Sequence, residues 1–473
     1  MSSTPPPATE PQSASPPRRA LVAGSVGNFI EWYEFGVYGY FATIIAANFF
    51  SADGGSDLEA LVKTYASFAL GFFFRPFGAA LFGRVGDRIG RRPTLIIVLL
   101  MMTVSTTLIG VLPTYATVGA AAPWLLTLLR ALQGLSAGGE FGGAVSVMTE
   151  FAPPGKRGLY GAWQSFTVGL GLLAGAGMAA VLATVMSEGA LNDWGWRLPF
   201  LLTLPLGAVA LWVRLKLDET PEFVREHATA GASDAPQSPP TTPGTPAPPV
   251  KPSTGRTAKA ILLGAGRLMG WSAAGYTFLV VMPSYLQATL DASFQQALIA
   301  TVLANAGFTA MILPAGRLSD RIGRRAVMLT GAVLITLLSL PLLNLLQDPD
   351  TGSVARGAAV FAAGAAVGML AGPGPAMLSE MFPTSVRYTG LGLAYALSNA
   401  VFSGSAGLII TELVKSTGDV DIPAYYAAAT CAVSALALWT LRSDDHLRPL
   451  RRTAGTEDAE NAAKSGKSAE AAP

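Results

Sequence analysis

The sequence predicts an all-α membrane protein, with twelve transmembrane helices arranged as two six-helix pseudo-symmetric bundles. Three observations carry that expectation. Of 473 residues, 51% are hydrophobic and 13% charged, where a soluble domain has about 25% charged. The apolar residues gather into runs long enough to meet the roughly 20 needed to cross a bilayer core. Finally, GRVGDRIGRR at 83–92 returns as GRLSDRIGRR at 316–325, displaced by 233 residues with eight of ten positions identical.

Taken in order, residues 1–19 are rich in Pro, Ser and Thr and lack the cationic start, short apolar core and cleavage site of a signal peptide, so they read as a cytoplasmic tail. A first bundle, 20–217, holds apolar spans at 20–50, 60–83, 93–112, 123–149, 158–186 and 195–217. Residues 218–257, proline-dense between 236 and 252, cannot build a core and read as a cytoplasmic loop. The second bundle, 258–442, has spans at 258–289, 294–316, 325–346, 354–379, 387–415 and 423–442, followed by a polar cytoplasmic tail at 443–473.

Lysine and arginine set the orientation. Arg84, Arg88, Arg91 and Arg92 follow the second span, Lys156 and Arg157 the fourth, and Arg317, Arg321, Arg324 and Arg325 the eighth, so these loops are expected in the cytoplasm, with both termini. The opposite loops are acidic, from Asp53 and Asp57 to Asp419 and Asp421. A repeat unit with an even number of spans relates the halves by an axis along the membrane normal, and the substrate path is expected between them.

Several function classes drop out. The net charge of +2 is dispersed in short loops, which gives no basic face for nucleic acid. One cysteine, Cys431 in an apolar run, and two histidines, His227 and His446 in polar segments, supply neither a disulfide framework nor a metal cluster. No cofactor motif is present, since GRVGDRIGRR lacks the Lys-Ser/Thr ending of a phosphate-binding loop, and no nucleophile–base constellation suggests an enzyme.

Charges inside the spans carry more information, because each costs roughly 2.5–3.5 kcal/mol at a helix centre unless paired or hydrated. The candidates are Glu31, Glu34, Arg75, Arg130 and Glu140, all in the first half. At a rise of about 1.5 Å per residue, Glu31 lies about 16 Å and Glu34 about 21 Å from the cytoplasmic end, Arg75 and Glu140 about 12 Å, and Arg130 about 27 Å. Glu31 and Glu140 are therefore expected near Arg75, and Glu34 nearer Arg130. On the first helix Asn28, Glu31, Glu34 and Tyr38 share about 120° of arc, a face expected to line the cavity. On the fourth, Gln133 and Glu140 share a face, and glycines at 134, 138, 139, 142 and 143 permit close packing. Pro76 predicts a local break beside Arg75. In the second half the interior polar set is Tyr276, Tyr285, Asn305, Tyr395 and Asn399, read as substrate contacts or as interhelical hydrogen bonds. Trp194, Trp196 and Trp271, near span ends, read as interfacial anchors.

From these residues a coupling scheme follows. Glu34 or Glu31, with Glu140 as a third candidate, binds and releases the driving proton. Arg75 or Arg130 holds a substrate carboxylate, and a substrate that occupies the arginine leaves the acid to a proton. Permanent pairing that merely assembles the bundle is the structural alternative. In the repeated loop, Gly83, Gly86 and Gly90, and in the second copy Gly316 and Gly323, allow a tight reversal and close helix approach. Asp87 and Asp320 can accept from amides at a helix start or pair with Arg88, Arg91, Arg321 and Arg324, which makes the loop a breakable latch, or only a topology signal.

A ten-residue loop of this kind in both halves resembles the signature of the major facilitator superfamily, over residues 20–442. GNFIEWYEFGVYGY at 27–40, FFFRPFG at 72–78, RALQGLSAGGEFGG at 130–143 and EMFPTSVRYTGLGLAY at 380–395 are similar to its metabolite:proton symporters, carriers of proline and betaine, 2-oxoglutarate, citrate or shikimate. One departure is Glu34, where that family usually has Asp. The resemblance implies a major facilitator fold in the cell membrane, with a monomer coupling protons to import of a small carboxylate-bearing metabolite by alternating access. A drug:proton antiporter of the same fold is the alternative, yet GLGLLAGAGMAAVL in the fifth span lacks the glycine–proline pair typical of such exporters. A transport-incompetent scaffold would keep costly buried charges to no purpose. The tail after Arg442 lacks the apolar heptads that the resemblance implies for an osmosensing betaine carrier.

Overall fold

The computed structural model describes residues 18–51, 56–89, 91–138, 152–216, 254–383 and 386–442, with Phe141, Val145, Met148, Thr149 and Leu447. In the first half, α1 is Arg18–Tyr40, prolonged by Ala42–Ile45 and a π turn at Ala46–Phe50. Then come α2 (Asp57–Ile89), α3 (Arg91–Val111), α4 (Ala121–Ala137), α5 (Arg157–Val185) and α6 (Leu198–Leu215). The second half begins with α7 (Thr254–Tyr276), prolonged through a π turn at Thr277–Val281 into Met282–Leu290. It continues with α8 (Phe294–Ile322), α9 (Arg324–Gln347), α10 (Ser353–Ala371, then Gly374–Met381), α11 (Arg387–Ser398, a π turn, then Ala406–Thr417) and α12 (Ile422–Trp439). Among the described residues nine helices are long and apolar enough to cross a membrane. The other three of the twelve are α1, with Glu31 and Glu34 in its middle, α4, whose described part is 17 residues, and α7, which carries Arg256, Lys259 and Arg267.

Within the first half α1 packs on α5, α2 on α4 and α3 on α6; within the second, α8 packs on α10, α9 on α12 and α7 on α12. The halves meet along α5 with α8 and α2 with α11. Large apolar side chains such as Phe77, Trp124, Val185, Leu337 and Leu436 remain exposed on the outer faces, the pattern of a surface that meets lipid.

The repeat read in the loop extends to the backbone. A Cβ on Gly134 of α4 would lie 1.7 Å from the Gly71 carbonyl oxygen on α2, and one on Gly364 of α10 would lie 1.9 Å from that of Ala304 on α8. Four residues on, Gly138 faces the Arg75 carbonyl at 2.0 Å and Gly368 the Phe308 carbonyl at 2.7 Å. Both pairs match at shifts of 230 and 233 residues, so each half is clamped by the same glycine contacts. Arg75 in one half stands where the other has Phe308, and the charge is not part of the shared scaffold.

Three expectations need correction. The loop glycines do not all turn the chain: α2 runs through Gly83 and Gly86 to Ile89, and Gly316 lies inside α8. There the reversal rests on Gly323 alone, at φ +95°, where a side chain would be strained. Pro76 does not end α2, because the helix spans Asp57–Ile89 with the proline inside it, at the cost of one backbone hydrogen bond. Trp196 and Trp271 are buried rather than interfacial: Trp196 packs on Phe49 and Phe200, and Trp271 on Tyr395. Their position near span ends concealed that the bundle covers them. Trp194 is exposed, and Cys431 is a buried core residue.

Candidate substrate and proton site

The buried charges of α1, α2 and α4 form two layers. In the first, Arg75 Nη2 lies 3.2 Å from Glu31 Oε1, both nearly sealed from solvent. Three rings surround the guanidinium, with Phe35 and Phe72 at 4.4 Å and Trp32 at 5.5 Å from it. One turn earlier Asn28 Nδ2 donates to Thr167 Oγ1 at 2.6 Å and to the Gln164 carbonyl at 3.0 Å, tying α1 to α5. Asn28, Glu31, Trp32 and Arg75 line a narrow cavity of about 10 Å³, closed from the other half by Gly392, Tyr395 and Ala396 of α11. Phe141, also in its wall, stacks on Tyr395 with ring centroids 3.4 Å apart.

In the second layer Arg130 is fully buried and Glu34 is 0% exposed. Arg130 Nη1 donates to Gln133 Oε1 at 2.7 Å, Gln133 Nε2 donates to Thr106 Oγ1 at 2.5 Å, and Thr106 donates to Glu34 Oε2 at 2.7 Å. The guanidinium also lies over Tyr38 at 4.2 Å, Phe68 at 4.7 Å and Phe35 at 4.9 Å, while its Nε and Nη2 have no hydrogen-bond partner among the described residues. Phe35 thus touches both cations, and the layers share a wall.

The structure therefore brings Glu31 to Arg75 and links Glu34 to Arg130 through two neutral side chains. The helix-1 face divides: Asn28 and Glu31 reach the cavity, whereas Glu34 turns to α3 and Tyr38 donates to the Thr64 carbonyl of α2 at 3.4 Å. Glu140 lies outside the described residues. In the second half Tyr276 is buried against Trp32, Phe68 and Phe72, its hydroxyl without a hydrogen-bond partner among the described residues, and Tyr395 faces the cavity. The other three are placed elsewhere. Tyr285 donates to the Val420 carbonyl at 2.6 Å, Asn305 to Leu279 and Thr301 carbonyls at 3.2 and 2.9 Å, and Asn399 to the Tyr395 carbonyl at 2.9 Å. Sequence reasoning passed over Thr106, Trp32 and Phe141. Trp32 lies one residue from Glu31 in the same run, a signal that could have found it, whereas one threonine in an apolar span gives none. Among the described residues no group of His, Cys, Asp or Glu could hold a metal ion.

At the end bearing the arginine-rich loops the halves are joined by charge. Asp320 accepts from the backbone N–H of Gly158 at 2.7 Å and of Leu159 at 2.9 Å, at the start of α5, and pairs with Arg324 at 2.7 Å. Glu380 takes Arg324 at 3.1 Å and, across the interface, Arg157 at 3.2 Å. Arg321 is exposed, and the side chains at 83, 87, 88 and 91, with Gly90, lie outside the described residues. At the opposite end Tyr65 bonds Ser284 at 2.6 Å and Thr43 donates to Gln287 at 3.0 Å. Contacts thus join the halves at both ends.

Comparisons with known proteins bear on the family and the fold. Residues 20–238 match the family model described as "Sugar (and other) transporter" and 260–469 that of the "Major Facilitator Superfamily". The proline/betaine transporter of Escherichia coli (strain K12) is 33% identical over 440 residues, 92% of this chain and 85% of that protein. This chain belongs to the major facilitator superfamily. A glycine betaine/proline/ectoine/pipecolic acid transporter of Dickeya dadantii (strain 3937) is 34% identical over 89% of the chain and 82% of its own length. Among solved structures a D-xylose-proton symporter superposes with a TM-score of 0.70 at 18% identity, covering 93% of this chain and 99% of its own. As a major facilitator protein the chain is a multi-pass membrane transporter of a small solute and not an enzyme.

Proposed function

We propose that this major facilitator protein is a proton-coupled symporter importing a small carboxylate-bearing metabolite, an organic acid or a zwitterion such as proline or betaine, by alternating access. The observation that carries the reading is the Arg75–Glu31 pair on the wall of a cavity shared by both halves. A guanidinium suits a carboxylate bidentately, so an incoming carboxylate competes with Glu31 for Arg75. Proline, betaine and ectoine, named for the relatives, each set a carboxylate beside a cationic nitrogen. The cavity offers Arg75 to the first, and Glu31 with the Trp32 and Tyr395 rings to the second.

Glu34 carries the proton in this scheme. It is fully buried, Thr106 donates to its Oε2 at 2.7 Å, and Gln133 and Thr106 link it to Arg130. Because Phe35 lies against both guanidiniums, a charge change at Arg75 is felt at Arg130 with little screening. Opening then breaks one closed end at a time. The arginine-rich end faces the cytoplasm, with both termini and the 218–257 loop, and the bundles 20–217 and 258–442 move against one another.

The test is purified protein in vesicles loaded with a pH-sensitive dye, challenged with a panel of organic acids and betaines. Symport predicts that the transported solute acidifies the lumen as it enters. Alkalinisation on solute entry identifies an antiporter, and entry without any pH change overturns proton coupling.

A further inference from the structure

We infer that Thr106 is the positioning residue for Glu34, its hydroxyl turning from the Glu34 carboxylate to the Met102 carbonyl when Glu34 takes up a proton. The inference rests on Glu34 as the proton-carrying acid. Thr106 Oγ1 has Glu34 Oε2 at 2.7 Å and the Met102 carbonyl at 3.0 Å, two acceptors for one hydrogen. Gln133 Nε2, 2.5 Å away, occupies one lone pair of the same oxygen, and Gln133 is held in that orientation by Arg130 on its own oxygen.

With Glu34 ionised, the hydroxyl donates to the carboxylate, the stronger of its choices because the acceptor is charged. With Glu34 neutral, the acid O–H becomes the donor and takes the remaining lone pair of Thr106. The threonine proton then swings to Met102. No covalent bond of Thr106 forms or breaks, and Glu34 Oε2 and the Thr106 hydroxyl stay hydrogen-bonded to one another in both states. A buried acid that must change charge without orphaning its neighbours needs such a rotor.

The charged and titratable groups that interact with Glu34 include Arg130 on α4 and Tyr33 on its own helix, and Arg130 in turn interacts with Tyr38 on α1, Arg75 on α2 and Tyr276 on α7. The buried polar side chains described on α3 are hydroxyls, Thr94, Thr103, Ser105 and Thr106, and α5 and α6 carry no charge between 158–185 and 198–213.

The experiment is the pH profile of substrate uptake in vesicles for Thr106→Val, Thr106→Ala and Thr106→Ser. Loss of the hydroxyl removes a charge-assisted bond from ionised Glu34 but a weaker one from the neutral acid, so the fall of uptake with rising pH moves up by roughly one pH unit. Thr106→Ser, which keeps the hydroxyl, restores the wild-type midpoint. Unshifted Val and Ala profiles, or a Ser profile that moves with them, overturn the inference. Glu34→Gln tests the proton carrier separately from Thr106. If that variant keeps the wild-type pH profile, Glu34 is not the proton carrier. If it flattens the profile while Thr106→Val stays unshifted, only the role of Thr106 falls. Should Val and Ala fail to purify as folded protein, the infrared carboxyl band of neutral Glu34 in the wild type, identified by its loss in Glu34→Gln, decides. A hydrogen-bonded position supports the rotor and a free-carboxyl position overturns it.

Discussion

The carboxylate of Asp320 accepts from the backbone N–H of Gly158, 2.7 Å away in the other half of the molecule. With the second bond from Leu159 it caps the first turn of α5, where the helix dipole and unpaired amides favour a negative charge. Hydrogen bonds to a charged group contribute about 1.5–3 kcal/mol each, and they are lost when this end opens. Asp320→Ala is therefore expected to shift the population toward the state open at the arginine-rich end by roughly tenfold or more. Alkylation of a cysteine placed at Tyr395, in a background lacking Cys431, reads that shift from the arginine-loop side. A rate equal to that of the unsubstituted latch would remove its role.

Glycines 134 and 177 differ in what a methyl group would meet. At Gly134 it runs into backbone of Gly71, which cannot move aside, and at Gly177 it meets nothing within 4 Å. Gly134→Ala is expected to cost about 1–3 kcal/mol or more and to lower the midpoint of thermal unfolding in detergent. Gly177→Ala, in the middle of α5, is expected to be neutral or to gain up to about 1 kcal/mol. Equal midpoints for the two variants would mean that α2 and α4 are not clamped as described.

Arg75→Lys keeps the charge but loses the planar fork and its seating among Phe35, Phe72 and Trp32. Substrate affinity is expected to fall about tenfold or more, measured by calorimetric titration at fixed pH, with the protein still folded. A loss of that size in Arg130→Lys but not in Arg75→Lys would move the substrate carboxylate to the second layer.

Much of the architecture was legible because hydrocarbon imposes one requirement on every span, and apolar runs report it directly. The pairing of Glu31 with Arg75 could be anticipated from rise per residue alone, since both side chains lie on helices of known direction. That arithmetic also set Glu34 near Arg130, but it could not show that Gln133 and Thr106 stand between them, because hydroxyl and amide placement depends on helix rotation. Tyr285 and Asn305 could be read as substrate contacts or as interhelical hydrogen bonds for the same reason: composition reveals that a tyrosine or asparagine is interior, not which backbone carbonyl it satisfies. The burial of Trp196 and Trp271 escaped notice because distance from a span end says nothing of lateral cover by neighbouring helices.

The most direct measurement is accumulation of substrate by vesicles holding Glu34→Gln under an inward proton gradient. The wild type is expected to concentrate substrate above its external level and to lose that ability when the gradient is collapsed. Glu34→Gln is expected to bring substrate only to equilibrium, with or without the gradient. Accumulation by Glu34→Gln to wild-type levels under the same gradient would contradict the assignment of the driving proton to the buried acid of α1.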